Sequence, residues 1–159
     1  MVSEAVGRPS AAPLPLPPQY RTTDELRDFI VAFEATTLPY ARWTHAGHLS
    51  VAFWYLVWYG PEAALDRVRA GIQRFNAAHP NEPMTVGYHE TITRFWVWRV
   101  HRYLRRAHIG GSLAELANQL ISECTDRNAP FTYYSRERLM SPEARQGWVD
   151  PDLRELESD

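Results

Sequence analysis

From residue 23 to residue 124 apolar residues recur every three or four positions, the spacing of helices with one buried face. The first run predicts a helix over 23–36, with Leu26, Phe29, Ile30 and Phe33 turned inward. Thr22 and Glu25 form a capping-box pair at its start. Leu38-Pro39 ends it, because the residue before proline avoids the helical region. Thr44 is a good N-cap for a second helix over 45–59. Apolar residues lie all round that helix (Leu49, Val51, Phe53, Trp54, Leu56 and Val57), so it belongs in the centre of its fold. Gly60 stops it. Pro61 then occupies the favoured first position of a third helix, which ends before Pro80. A fourth helix over 87–107 presents Ile92, Trp96, Val100 and Tyr103 on one stripe. After Gly110-Gly111, a fifth runs over 112–124, capped by Ser112, with Leu113, Leu116, Leu120 and Ile121 inward. Ser141-Pro142 opens a short last helix, 142–148, closed by Pro151.

No strand pattern competes, since the strand-like residues 131–134 are too few. Residues 1–20 carry Pro9, Pro13, Pro15, Pro17 and Pro18 and predict an extended or disordered arm. The expected fold is all-α: a single-domain helical bundle over 21–155, with five main helices and a short C-terminal helix.

Composition narrows the function classes. The net charge of −2 offers no basic field for nucleic acid, and Arg99, Arg102, Arg105 and Arg106 read as a solvated helix face. The most apolar run, 49–59, is too short to span a bilayer. Cys124 is the single cysteine, so neither an internal disulfide nor a thiolate metal site is expected, and a reducing cytoplasm is the expected compartment. Aromatic residues make up 13% of the chain, enough for a large core and for a homodimer face.

The sharper expectation concerns histidines. His45 and His48 stand three apart in the first turn of the second helix, on one face. Short connections make successive helices antiparallel neighbours, so the second and fourth run in parallel with their N-termini at one end. His89, in the first turn of the fourth helix, is expected at that same end. Glu34, near the close of an antiparallel first helix, is expected there too. Three imidazoles and a carboxylate suit a divalent metal ion: zinc, iron, manganese or copper. Glu90 lies about 100° round the helix from His89 and is assigned proton transfer. Tyr134 and Arg138 are expected to close the pocket over a small-molecule substrate.

Plainer readings stand beside this one. The histidines can cap and pack, Glu90 can form a helix ion pair with Arg94 four residues on, and Arg138 can simply anchor the tail. Helix N-termini also carry partial positive charge, which favours an anion held by the same histidines and Arg42.

Trp43-Thr44-His45, His48-Leu49, Tyr88-His89-Glu90-Thr91-Ile92-Thr93, Tyr134-Ser135, Leu139, Ser141, Ala144-Arg145 and Pro151-Asp152-Leu153 together resemble a widespread family of small bacterial proteins of unassigned activity. The resemblance spans roughly residues 25–155 and implies a compact helical domain in which His45, His48, His89 and Glu90 matter. The leading functional expectation is a small-molecule metalloenzyme. The alternatives are a non-catalytic module for a small anion or ligand, and a scaffold whose histidines only pack.

Overall fold

The computed structural model describes residues 19–82, 87–108 and 110–158, and every regular element among them is helical. α1 spans Thr23–Glu34, and the Thr22 hydroxyl accepts from the Glu25 amide as its N-cap. A single 3-10 turn, Tyr40–Arg42, leads into α2, His45–Ala78. α3 is Glu90–Arg106 and α4 is Leu113–Glu123. A second 3-10 turn, Ala129–Thr132, and two short helices, α5 (Arg136–Leu139) and α6 (Pro142–Gln146), make up the tail.

α2 is a hairpin of two helical arms, 45–59 and 61–78. Gly60 joins them at φ 75°, ψ 172°, a backbone region open essentially to glycine. Trp43, just before the first arm, and Phe75, near the end of the second, have ring centroids 5.1 Å apart, so the second arm returns alongside the first. The Gly60-Pro61 pair marks this reversal in the sequence.

Two apolar groups hold the elements together. The main one joins Leu26, Phe29 and Phe33 of α1 to Val51 and Phe53 of the first arm, Phe75 of the second and Leu120 of α4. Phe33 stacks on both Trp43 and Phe75, at 4.6 Å and 5.6 Å, closing a triangle of three rings. The smaller group packs Phe95 of α3 against Tyr133, Tyr134 and Leu139 of the tail. α3 therefore lies between the hairpin on one side and the tail on the other.

The predicted arm over 1–20 lies outside the described residues except for its last two. Of these, Tyr20 belongs to the core: it is 2% exposed and its hydroxyl donates to Ser50 Oγ at 2.8 Å. Asn118 fixes it further, accepting from its amide and donating to its carbonyl.

Candidate functional site

Where the start of the hairpin meets α3 there is a cavity of about 510 Å³. Its wall is apolar where Ala52, Val68, Ile72, Ile92 and Val97 face it, and aromatic where Trp43 and Trp96 do. The polar contributions come from Thr44, His45, His48, Thr93 and Arg127. Thr44 and Arg127 are exposed, which places the mouth on their side. His45 at the start of α2 meets Trp96 of α3, while Arg69 of the second arm meets Glu90 at the start of α3, so the opening of the hairpin and the first two turns of α3 enclose this space.

Local chemistry fixes both histidines. Thr44 caps α2 by accepting from the Gly47 amide, and its carbonyl accepts from His48 Nδ1 at 2.8 Å. A carbonyl only accepts, so His48 Nδ1 carries the proton and Nε2 keeps a lone pair. The His48 ring lies 3.8 Å from that of Trp43. His45 Nε2 donates to the carbonyl of Cys124 at 2.8 Å, tying the start of α2 to the end of α4. Its ring meets Trp96 edge-on at 4.6 Å. Burial disfavours the charged imidazole and pushes His48 down to about 4, against the opposing Thr44 carbonyl and with help from His45 and Arg127. Burial likewise lowers His45, with the Cys124 carbonyl opposing and Arg127 assisting. Near neutral pH the cavity thus presents two uncharged imidazoles beside one guanidinium.

His89 and Glu34 are placed elsewhere. His89 is the N-cap of α3, its Nδ1 accepting from the Ile92 amide at 3.2 Å. Its Nε2 donates to the Leu139 carbonyl at 2.8 Å, so both ring nitrogens are engaged outside the cavity. Burial lowers its pKa, with the Leu139 carbonyl opposing. Glu34 accepts from the Tyr55 hydroxyl at 2.8 Å, ten residues beyond His45 on the first arm, or roughly 15 Å along a helix axis. The connection 35–44 does not act as a short reversal. Thr36 adopts φ 59° and the 3-10 turn adds a second bend, so Glu34 faces Arg67 and Arg74 and not the histidines. Among the described residues no group of three or more His, Cys, Asp and Glu side chains is placed to hold a metal ion.

Glu90 is also spoken for. Arg69 of the second arm donates to it twice, Nε to Oε2 at 2.9 Å and Nη2 to Oε1 at 2.6 Å, and Tyr88 donates to Oε2 at 2.5 Å. The Arg69 bonds, ahead of Tyr88 and against burial, lower the carboxyl pKa, so Glu90 is an ionised bridge between α3 and the hairpin. The expected Arg94 partner instead lies over Trp148, 4.8 Å from the ring centroid. Thr91 donates to the Gly147 carbonyl and accepts from the Val149 amide, adding a second tie to the tail. The Tyr88–Thr91 stretch is therefore a clasp that joins α3 to the hairpin and the tail.

Tyr134 is fully buried, its hydroxyl donating to the Val149 carbonyl at 3.0 Å. Arg138 Nε donates to the Asp150 carbonyl at 2.9 Å. Both brace the tail and neither lines the cavity. Arg42 lies over Phe29, away from it. The apolar spacing marks Trp96 as part of the α3 stripe but singles out neither Trp43 nor Arg127. The proximity of Trp43 to His45 was a usable signal for the first, whereas an arginine in a loop carries no periodic mark.

Comparison of the chain with protein-family models, with curated proteins and with solved structures finds no match. No helix among the described residues is long and apolar enough to cross a membrane.

Proposed function

We propose that this protein binds a small organic acid with a flat apolar body in the cavity between the hairpin and α3. The observation that carries the reading is the composition of that wall: two indoles and an aliphatic surface face two uncharged imidazoles and one exposed guanidinium. A volume of about 510 Å³ suits a small molecule, and mostly apolar walls with a few convergent polar groups are the usual make-up of such sites. Trp43 and Trp96 offer flat faces to a ring. Arg127 supplies a planar fork for a carboxylate. His48 Nε2 accepts from a ligand N–H or O–H, which fixes orientation.

The test reads intrinsic tryptophan fluorescence, with Trp43→Phe and Trp96→Phe identifying which part of the signal from the six tryptophans comes from the cavity. Benzoate and indole-3-carboxylate are titrated against their uncharged amides. The acids are expected to quench and to bind more tightly than the amides, with the preference lost in Arg127→Gln. Absence of any saturable response to either class overturns the reading.

A second reading, a divalent metal on His45 and His48, is favoured by one observation. The two imidazoles stand one turn apart on the same wall and are held neutral, as metal ligation requires. Water and substrate would complete the shell, which is the metalloenzyme case. Metal analysis of untagged protein separates the two. If no metal co-purifies, and none of zinc, iron, manganese or copper shifts the melting temperature, the metal reading fails.

A further inference from the structure

We infer a separate binding site for a phosphate or carboxylate group in a second cavity, of about 630 Å³, on the other side of the Glu90 bridge. It is lined by Arg69 of the hairpin, Arg94 of α3 and Arg145 of α6, together with Tyr88 and Trp148. Glu90 is the only carboxylate in its lining among the described residues.

The charge is unevenly spent. Arg69 is saturated: Nε and Nη2 go to Glu90 and Nη1 goes to Asp66 at 2.8 Å. Glu90 is in turn consumed by Arg69 and Tyr88, so it presents little free negative charge to a ligand. Arg94 and Arg145 have no carboxylate partner among the described residues. Arg94 lies over Trp148, its Cζ 4.8 Å from the ring centroid, a cation–π contact that spends no N–H donor. Arg145 makes one long contact, Nη1 to the Gly87 carbonyl at 3.4 Å.

Two guanidiniums on one concave surface, neither with a carboxylate partner among the described residues and one of them held over an indole, match the bidentate chemistry of a phosphate or carboxylate. Gln73 and Gln146 add neutral donors at the same wall. Because the lining comes from the hairpin, α3 and the tail, a bound anion ties the three together and raises the melting temperature. This site is independent of the acid proposed for the indole-lined cavity, and its arginines are different ones.

The experiment is a titration of the full chain with inorganic phosphate, and separately with succinate, at constant ionic strength set by chloride. Calorimetry and the melting temperature are read for wild type, Arg94→Gln, Arg145→Gln and the double variant. Circular dichroism confirms that each variant is folded. Saturable binding is expected, weakened about tenfold or more by either single substitution and abolished in the double variant. Arg94→Lys, which keeps the charge but loses the fork, is expected to fall between. Whichever of phosphate and succinate binds more tightly identifies the group. An equal response in wild type and double variant overturns the inference. So does a response lost in Arg127→Gln but kept in the double variant, since the anion then belongs to the indole-lined cavity.

Discussion

The imidazole of His89 donates to the carbonyl of Leu139, 2.8 Å away and fifty residues further along the chain, while its other nitrogen caps α3. One side chain therefore starts a helix and fastens the tail to it. His89→Ala removes the cap and leaves a buried carbonyl unpaired, at a cost of about 1–3 kcal/mol. Amide exchange of residues 133–149 is expected to accelerate, with the fluorescence response of Trp43 and Trp96 to aromatic acids unchanged. Loss of that response with an intact tail would place His89 in the cavity after all.

The fate of His89 shows how much of the site could be read in advance. Helix existence and order follow from spacing and caps. The i, i+3 spacing after the Thr44 cap was enough to put His45 and His48 on one wall. It was not enough for His89 or Glu34, because sharing an end of a bundle differs from sharing a surface. His89 sits at the cap, where its ring turns back onto the Ile92 amide and out to the tail. Glu34 is diverted by the two bends in 35–44, and neither Thr36 nor the 3-10 turn has a periodic signature. Arg69 as partner of Glu90 was equally hidden. The pair is 21 residues apart and depends on the hairpin folding back at Gly60.

Acid should expose the buried histidines. His48 has its pKa pushed from 6.5 down to about 4, so between these values the unfolded chain binds a proton that the folded protein does not. Stability is then complete above about pH 6.5 and falls as pH drops toward 4, by up to about 1.4 kcal/mol per pH unit for each such histidine. His45, lowered for the same reason, acts in the same direction. Urea unfolding across this range is expected to show the slope, and His48→Gln to reduce it. Identical slopes in the two proteins would mean that His48 titrates as a solvated group.

The Arg69–Glu90 pair adds a distinct loss below that window. Glu90 is lowered from 4.5 by Arg69, so its contribution is present above about pH 4.5 and lost as pH falls through its folded value. At neutral pH, Glu90→Gln keeps the shape but leaves Arg69 with a neutral partner. The Arg69 side chain is 32% exposed, which moderates the cost to about 1–2 kcal/mol. Chemical denaturation should record that loss, and binding of aromatic acids near Trp43 should be unaffected. A large fall in affinity or activity without loss of stability would instead restore Glu90 to a chemical role.

Two glycines test the hairpin by different physics. Gly60, at φ 75° and ψ 172°, has nothing within 4 Å of where a Cβ would stand. Gly60→Ala therefore costs only backbone strain, about 1–3 kcal/mol, and no neighbouring substitution should relieve it. Gly71 is helical, so alanine there would gain up to about 1 kcal/mol in propensity. Its Cβ, however, would lie 2.7 Å from Phe33 Cε1, and that ring is packed against both Trp43 and Phe75. Overpacking of about 1–3 kcal/mol should outweigh the gain, making Gly71→Ala destabilising. Phe33→Leu opens space at that contact. The double variant should therefore be more stable than the sum of the single effects predicts, by roughly 0.5–2 kcal/mol. The same pairing with Gly60→Ala should be additive. Additivity at Gly71, or a stabilising Gly71→Ala, would mean that α1 and the second arm do not approach as closely as the Phe33 stack requires.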